Sequence, residues 1–443
     1  MKKLYFVVML CVAYMSNAQT LSYNDIGVLF SKENINGTAR YNAMSGAFGA
    51  LGGDLSSIET NPAGAAVFLK SEFAVSLNVH TIETTASFYG TSELIENDNT
   101  NLSQAGGVFV FNTNRNSDWS NVALGFNFSI IDDFENLWLA SGNSGFAPIS
   151  DIYDPTLVYP NSDGQYLQNF TDGRNNKYTF TLASQYQDNL YVGVSINTYD
   201  IEHYQNTLIE EYNNDGGGNT FDVSQIQELL TYGEGFSFTL GFISKPSDNI
   251  RFGLAYQSPV WYTLNEEFVE FDVTIFENDI VTETDFSGIN GFNYKLRTPS
   301  KLTGSFAYIF EKQGLISIDY IYKNYSNIEL SNANFTEENS AFDNNLESTG
   351  QIRIGTEWRF KDISLRGGYH LEKSPYKSAI DSDNTEGFSV GAGYKFRGGK
   401  LDFAYQKFTN TASYNFYPQY NQVNPVELDI DTSKFTATLI LSI

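Results

Sequence analysis

Every second residue is apolar in many segments of this chain, and this alternation restricts its fold more than any other feature. In residues 386–397, one face of a strand would carry Phe388, Val390, Ala392, Tyr394 and Phe396. Residues 351–360 and 434–443 repeat the pattern. A period of two is that of a β-strand with one apolar face, because successive side chains of a strand point in opposite directions. Helical spacing fits none of these segments, so we predict an all-β fold.

Fourteen such segments can be counted, and their connections alternate in length. The predicted strands lie near residues 71–89, 102–113, 119–131, 176–187, 190–204, 232–244, 249–264, 292–310, 314–329, 349–360, 362–373, 386–397, 400–415 and 431–443. Tight turns alternate with long polar loops, the loops being 90–101, 132–175, 205–231, 265–291, 330–348, 374–385 and 416–430. This arrangement is typical of outer-membrane barrels and is not required in a soluble sandwich. We therefore predict a 14-stranded antiparallel transmembrane β-barrel in the bacterial outer membrane, with both mature termini at the short-turn rim.

The first residues have the properties of a secretory signal peptide. Lys2 and Lys3 precede a short apolar stretch, residues 4–15, and we place cleavage after Ala18. Lipidation of Cys11 is disfavoured, because a large leucine precedes it and cleavage there would divide the apolar stretch. The mature chain then contains no cysteine, which excludes disulfides and thiolate metal sites.

The chain is strongly acidic. It has 26 Lys and Arg against 52 Asp and Glu, and removal of Lys2 and Lys3 leaves 24 against 52, a net charge of −28. This charge excludes nucleic acids as partners, because their phosphates need a basic surface. Aromatic residues make up 15% of the chain, and no segment beyond the signal peptide is apolar enough for a membrane-spanning helix. A barrel explains both features, since only alternate residues of its strands face lipid.

The sequence gives little support to catalysis. Its three histidines, His80, His203 and His370, lie on separate segments without the spacing of a zinc protease. We therefore predict no enzyme, no metal site and no cofactor. Several charged residues are instead expected to form ion pairs inside the barrel, since unpaired charges are costly to bury. They are Asp319, Lys323, Arg353, Glu357, Arg359, Arg366 and Asp402.

Residues 19–70 do not alternate, and their small-residue-rich composition would suit a plug that crosses the lumen. Their motifs resemble the N-terminal hatch of the FadL-type family of outer-membrane long-chain fatty-acid transporters. The matching residues are Gly37, Arg40, the run Ala43 to Ala47, Asp54, and above all Asn61, Pro62, Ala63 and Gly64. Two later matches are Gly253 to Tyr256 leading into Ser258 and Pro259, and Arg297 to Pro299.

This resemblance implies a division into a signal peptide (1–18), a hatch (19–70) and a barrel (71–443). It further implies that a hydrophobic small molecule is captured among the extracellular loops and bound in the lumen. The ligand would then leave sideways into the membrane at a kinked third strand. Gly125 is the candidate for the lateral gate, because glycine is the most bendable residue of that strand. The expected partners are this ligand and outer-membrane lipid, and the expected state is a monomer.

Two predicted loops contain apolar residues that a lipid-facing strand does not explain. One holds Phe134, Leu137, Trp138 and Leu139. The other, residues 222–230, has the spacing of a short helix with Ile226, Leu229 and Leu230 on one face. Large apolar groups in solvated loops need an apolar partner, so these residues are candidates for ligand capture. The alternative is that the two loops pack against each other and shield the barrel mouth.

Other functions remain open at this stage. A FadL-like barrel could serve as a structural or secretion-associated scaffold that docks other proteins. A haem receptor would need axial ligands, which three scattered histidines do not readily supply. A water-filled porin is disfavoured, because a hatch would block its lumen. Uptake of hydrophobic compounds is the prediction that uses all of the motifs.

Overall fold

The alternating segments form one closed antiparallel β-sheet. The computed structural model describes residues 23–112, 117–149, 159–276, 280–286, 288–311, 313–418 and 420–443. The strands are β1 (Glu72–Phe88), β2 (Thr91–Asn112), β3 (Trp119–Asp133 and Asn136–Gly142), β4 (Asn161–Tyr186), β5 (Leu190–Asn214), β6 (Thr220–Ser244), β7 (Ile250–Gln257 and Trp261–Phe276), β8 (Ile280–Phe286, Asn290–Arg297 and Lys301–Phe310), β9 (Gly314–Asn324 and Glu329–Ser331), β10 (Ser348–Phe360), β11 (Ile363–Glu372), β12 (Thr385–Phe396), β13 (Gly399–Tyr414) and β14 (Val426–Ser442).

Each strand pairs with its neighbours in the sequence, and β14 pairs with β1 from Glu72–Ser442 to Ser87–Glu427, which closes the barrel. The predicted fourteen-stranded antiparallel barrel is therefore confirmed. Proline interrupts β7 after Ser258 and β8 after Thr298. The two interruptions face each other, and the backbone N–H of Val260 donates to the Thr298 hydroxyl at 2.9 Å.

The barrel has an apolar outer band and a polar interior. On β4 and β5, for example, Phe180, Leu182, Val194 and Ile196 are exposed on the outer face. The inward positions between them are buried and carry hydroxyls or amides, as at Asn197. The alternation seen in the sequence thus separates lipid-facing side chains from luminal ones.

The long connections contain far more strand than the sequence predicted. Residues 91–101, 205–214 and 220–231 belong to β2, β5 and β6, which continue beyond the outer apolar band. The predicted helix over residues 222–230 is wrong, because every one of these residues pairs with β5. The extracellular side is therefore a wall of extended strands rather than a set of loops.

Residues 23–68 lie inside the barrel and are mostly buried. They form α1 (Tyr23–Leu29), α2 (Ala39–Asn42), α3 (Ser57–Thr60) and a 3₁₀ turn (Pro62–Val67). A further helix, α4 (Thr336–Asn345), follows β9, and 3₁₀ turns occur at Tyr325–Asn327 and Asp381–Asp383. None of the helices in the described ranges combines the length and the apolar character needed to span a membrane.

Of the two mature termini that we predict at the short-turn rim, the C-terminus lies there, and the N-terminus lies outside the described residues. Ile443 is at that rim, where its N–H donates to the Ser71 carbonyl. Tyr23, the first described residue, instead packs edge-on against Tyr294 and Phe335 near the long-loop end. The N-terminal segment therefore runs through the lumen from the extracellular side towards β1.

Candidate functional site

The Asn61 to Gly64 turn lies against the inner wall of the barrel. The Asn61 amide nitrogen donates to the carbonyls of Gly49 at 2.7 Å and of Phe242 at 3.0 Å, so this side chain joins the N-terminal segment to itself and to β6. Its oxygen accepts from the Ala63 N–H at 3.1 Å and caps the turn. A Cβ at Gly241 would overlap the Asn61 side chain, so the wall needs glycine at this close approach.

A buried ionic network fixes the N-terminal segment near the short-turn rim. Glu357 accepts from Arg40 and from Arg366, both at 2.7 Å, and Arg366 also pairs with Asp402 at 2.8 Å. Arg359 contacts Glu357 from the more exposed side. The predicted luminal ion pairs are confirmed for these four wall residues, Glu357, Arg359, Arg366 and Asp402. The network links α2 to β10, β11 and β13, because Arg40 belongs to α2.

Three other predicted ion-pair residues bind the N-terminal segment by hydrogen bonds instead. Arg353 donates to the Tyr41 hydroxyl at 3.1 Å, and Lys323 donates to the Ser31 carbonyl at 2.9 Å. Asp319 accepts from the Gly49 N–H at 2.9 Å. Among the described residues, none of the three pairs with an opposite charge within ion-pair distance. The N-terminal segment therefore supplies a hydrogen-bond partner to each of these three charged side chains.

Towards the extracellular end, α1 fills an apolar chamber. Its residues Ile26 and Val28, together with Phe30, pack among buried side chains of β3, β5, β7, β8 and α4. The Phe30 ring centroid is 6.0 Å from that of Phe134 and 5.8 Å from that of His203. The most apolar part of the lumen is thus occupied by the protein's own N-terminal residues.

Two adjacent cavities, together called the passage, lie beside the N-terminal segment. A luminal cavity of about 280 Å³ lies between residues 29–36 and the walls β1 to β3 and β10 to β14. A larger cavity of about 1000 Å³ at the extracellular mouth shares five lining residues with it: Leu29, Lys32, Ser374, Asp383 and Asn410. The luminal cavity is lined by apolar groups such as Ile82 and Phe408, by amides and by charges, including Lys434.

The luminal cavity reaches a gap between β2 and β3. The backbone ladder between these strands ends at Gln104–Ser129, and beyond the gap the second segment of β3 pairs with β4 alone. Side chains bridge the gap: the Asn101 amide donates to Asp133 at 2.8 Å, and Asn97 donates to the Leu137 carbonyl at 2.9 Å. Leu102, at the level where the gap begins, is 45% exposed on the outer face. The gap therefore begins at the upper edge of the lipid-facing band.

Residues 26–433 match the family described as "Outer membrane protein transport protein (OMPP1/FadL/TodX)". The chain belongs to this family. It is therefore an outer-membrane channel for hydrophobic compounds and not an enzyme. No curated protein matches its sequence significantly.

Solved structures of other FadL-type barrels have the same fold. A FadL homologue from Pseudomonas aeruginosa aligns with a TM-score of 0.61 and 13% identity over 93% of this chain and 99% of that one. The toluene transporter TodX from P. putida gives 0.56 and 12%, covering 92% and 99%. The toluene transporter TbuX from Ralstonia pickettii gives 0.52 and 14%, covering 92% and 99%. At these identities the likeness establishes the fold alone.

Gly125 is not at the gap of this FadL-type barrel. It pairs with Val108 on β2 and with Thr181 on β4, so the ladder is intact on both sides. An added Cβ would make only ordinary contacts there, the nearest at 3.4 Å. The structure therefore gives no support to a gate at Gly125, and the interruption lies further along the chain, after Ser129.

The predicted capture residues do not form one groove, because they lie on strands and so alternate between two faces. Phe134 and Leu229 point inward and belong to the chamber around α1. Trp138 also points inward, but into a separate extracellular cluster with Phe88 and Phe416. Leu137, Leu139, Ile226 and Leu230 occupy the alternate positions on the outer face. These candidate residues therefore do not share one surface.

The cluster around Trp138 also encloses a carboxyl group beyond the membrane-spanning part of β5. Glu211 lies thirteen residues past Thr198, the last residue of the outer apolar band on that strand, and is fully buried. Burial raises the pKa of Glu211 to about 7. Its oxygen accepts from the Ile149 N–H at 3.2 Å. The packing of this cluster is therefore sensitive to pH near neutrality.

Potential catalytic groups in this barrel are dispersed. His80 and His370 line the luminal cavity from different walls, and His203 is buried in the chamber. Residues 387–391 have the Gly-x-Ser-x-Gly spacing of a hydrolase motif, but Ser389 lies in the middle of β12 and hydrogen-bonds Ser45 at 2.8 Å. The strand–turn–helix elbow that such a nucleophile needs is therefore missing. The described residues contain no cluster of His, Cys, Asp or Glu that could hold a metal.

The residues that form the passage and its gap are not among the predicted site residues. Asn97, Asn99 and Asn101 lie in a predicted polar loop, although their spacing of two would place all three on one face of a strand. The segment from Leu29 to Asn36 gave no signal, because its lining role depends on its path through the lumen. Lys434 belongs to the last strand, and alternation alone does not show that its side chain lines a cavity.

Proposed function

We propose that this channel takes up hydrophobic and amphiphilic small molecules, long-chain fatty acids among them, by passive passage from the extracellular mouth to the β2–β3 gap. The observation that carries this proposal is that the mouth cavity shares lining residues with the luminal cavity, which in turn lies next to the gap. Asn101, Asp132 and Asp133 are lining residues of the luminal cavity and also border the gap. A ligand in the cavity is therefore adjacent to a side exit.

Capture begins in the mouth cavity rather than at Trp138. Its lining includes Val28, Tyr376, Ile380 and Leu428, and Ile380 is 67% exposed. Burying an alkyl chain against such groups contributes about 0.8 kcal/mol per CH₂. A half-enclosed chain can therefore bind at micromolar strength without a specific polar contact.

The N-terminal segment acts as a hatch, which makes the exit lateral. The proposed division is a signal peptide over 1–18, a hatch over 19–70 and a barrel over 71–443. Support comes from the ionic network around Glu357 and from the Asn61 turn, which attach the segment to the wall below the cavity. Several buried charge-assisted contacts would have to break before a ligand could pass straight through.

The lateral gate is the side-chain-bridged part of β2 and β3, in place of Gly125. Opening it requires loss of hydrogen bonds from Asn97, Asn99 and Asn101, but of no backbone ladder. Each such bond contributes about 0.5–1.5 kcal/mol net, and those to charged groups about 1.5–3 kcal/mol. Thermal fluctuations or a bound ligand can therefore open this part more readily than the intact ladder below it.

The luminal cavity is suited to amphiphiles. Among the described residues, neither Lys32 nor Lys434 has a carboxylate within ion-pair distance, and Lys434 donates only to the Ile35 carbonyl, at 3.4 Å. A carboxylate head group could therefore pair with either cation while its chain lies along Ile82 and Phe408. Similarity to the toluene transporters TodX and TbuX supports apolar ligands for this channel as well.

A reversible cross-link across the gap tests this proposal. Asn101→Cys with Asp133→Cys, bridged by a short bis-methanethiosulfonate reagent, should abolish uptake of a fluorescent fatty acid, and a reductant should restore it. The mature chain lacks cysteine, so only the engineered pair reacts. Phe109→Cys with Leu124→Cys is the matched control, because these residues pair within the intact ladder. Normal uptake through a bridged gap would refute lateral exit.

A scaffold that docks other proteins is the second candidate. The observation that favours it is the outward apolar surface that includes Leu137, Leu139, Ile226 and Leu230, because a channel alone does not need it. The two functions are compatible, since this surface lies on the outer face of β3 and β6, whereas the passage lies inside the barrel.

A further inference from the structure

The outer face of the extracellular wall carries a continuous apolar surface on β3 to β7. We call it the outer patch and define it by eleven partly exposed residues. They are Leu137, Leu139, Tyr166, Phe170, Tyr204, Leu208, Ile226, Leu230, Val269, Phe271 and Val273. The transport route does not use this surface, because these side chains alternate with those that face the lumen.

Strand register makes the outer patch contiguous. Across one row, Leu139 pairs with Gln168, Gln168 with Leu208, Leu208 with Ile226, and Ile226 with Phe271. In the next rows Leu137 is opposite Phe170 and Tyr204 is opposite Leu230. The rings of Phe170 and Tyr204 meet edge to face at 6.3 Å. Directly opposed side chains lie about 5 Å apart, so the rows form one surface.

The outer patch lies outside the lipid-facing band. On β5, Leu208 is twelve residues beyond Ile196, which corresponds to about 40 Å along the strand. Between them Asp200 and Glu202 point outward and are exposed, and Glu234 is directly opposite Asp200 on β6. Burying this ring of carboxylates in hydrocarbon would be strongly unfavourable. The bilayer therefore does not cover the patch.

The rim of the outer patch is acidic. Asp172, Glu202, Glu210, Glu228 and Glu267 surround or divide its apolar rows. Residues 161–276 contain sixteen acidic residues and four basic ones. Of the basic residues, Lys177 is buried inside, Lys245 and Arg251 lie at the opposite end of the barrel, and Arg174 pairs with Asp133 at 3.3 Å.

This charge pattern discriminates between possible occupants. A second copy docked through the same face would bring two sets of carboxylates together without cations to separate them. An anionic lipid head group would be repelled for the same reason. A protein with an apolar centre and a border of Lys or Arg would bury the apolar rows and neutralise the rim.

We propose that the outer patch is the docking site of a cell-surface protein whose own contact surface is apolar at its centre and basic at its border. Leu208 and Ile226 are the central contacts, because they are adjacent in the middle row and Ile226 has apolar neighbours, Leu208 and Phe271, on both sides. Glu228 supplies a rim charge on the same strand as Ile226. This inference is independent of the transported ligand and of the lateral gate.

Photo-cross-linking in the native cells tests the proposal. p-Benzoylphenylalanine at position 208 should give a covalent adduct with another protein, whose cross-linked peptide contains Lys or Arg. The same residue at position 100, exposed on the outer face of β2, is the control and should give none. Ile226→Ser should remove the adduct while the barrel keeps its heat-shifted gel mobility. An adduct to a second copy, an adduct to lipid, or no adduct would each overturn the proposal.

The identified protein, once purified, tests the electrostatic part. Its affinity for the channel should fall at least tenfold in Glu228→Lys and should weaken as salt is raised. Glu96→Lys, an exposed outward carboxylate on β2, is the matched control and should bind like the wild type. Equal binding by Glu228→Lys and wild type would overturn the assignment of a basic border.

Discussion

The two halves of the lumen hold the N-terminal segment by different kinds of contact. Near the short-turn rim, Arg40 and Asn61 attach it to the wall through buried ion pairs and hydrogen bonds. Near the extracellular end, Ile26 and Phe30 are held by apolar packing in a chamber of aromatic side chains. The passage runs beside the second region and ends above the first.

This difference indicates which part of the segment can give way to a ligand. Breaking one partner of a buried ion pair leaves an uncompensated charge, whereas an apolar contact can be replaced by contact with an apolar ligand. The lower half should therefore stay fixed during transport, and the upper half should exchange with the ligand. The following predictions test that contrast, beginning with the largest expected effect.

Glu357→Ala should destabilise the lower half most, by about 3–5 kcal/mol, because Arg40 and Arg366 would remain buried without their shared partner. The measurement is the temperature at which the heat-shifted gel mobility is lost, together with leakage of hydrophilic antibiotics. Glu329→Ala is the control: its pair with Arg297 is half exposed, so a loss below about 1 kcal/mol is expected. Similar losses of stability in the two variants would contradict the view that the buried ion pairs stabilise the protein more than the exposed pair does.

Phe30→Ala should loosen the upper half without weakening the barrel. It removes about 3 kcal/mol of packing around α1. A ligand that displaces the Phe30 side chain would then have less packing energy to overcome. If this difference is about 1.4 kcal/mol, an alkanol should bind roughly tenfold more tightly. Isothermal calorimetry measures the affinity, and hydrogen exchange of residues 23–31 measures the loosening. Faster exchange with unchanged affinity would mean that the ligand does not enter the chamber.

Asn61→Ala should reduce uptake more than it reduces barrel stability. The change removes the hydrogen bonds to Gly49 and Phe242 and the cap on Ala63. Each buried backbone group left without a partner costs about 1–3 kcal/mol. These bonds position the segment, whereas the barrel wall keeps its own ladders. Initial uptake rate and heat-shifted mobility should be compared with those of Asn206→Ala, an outward asparagine on β5. Unchanged uptake would leave Asn61 with a folding role only.

The smallest effect concerns pH and the extracellular cluster around Trp138. Since the pKa of Glu211 is raised to about 7, its protonated form stabilises the fold at pH below about 4.5, and this contribution is lost as pH rises to 7. Hydrogen exchange of the β5–β6 hairpin, corrected for intrinsic rates, should accelerate between pH 5 and 8. Glu211→Gln should abolish this dependence, and the outward neighbour variant Glu210→Gln should retain it. A pH response unchanged in Glu211→Gln would assign it to another group.

The barrel strands could be predicted because lipid outside and a polar lumen inside impose a strict alternation on each of them. The strand extensions could not be predicted, because water on the outer face permits polar residues at both alternate positions, as in residues 96–101.

Residues 222–230 were predicted as a helix for a further reason. The spacing of Ile226, Leu229 and Leu230 suits a helix, and only pairing with β5 and β7 makes this segment a strand. The Asn61 turn was recognisable from its motif, whereas the gap depends on where one ladder stops.

If release is lateral, as we propose, the level of the β2–β3 gap also sets the driving force for uptake. A ligand released there enters hydrocarbon rather than water, so the membrane itself acts as the sink. Each additional CH₂ favours partition into hydrocarbon by about 0.8 kcal/mol, or roughly fourfold. Retention would therefore increase steeply with chain length, even if the cavity bound short and long chains equally. Chain-length selectivity would then be a property of the bilayer, and saturation would depend on how fast the ligand is removed from it.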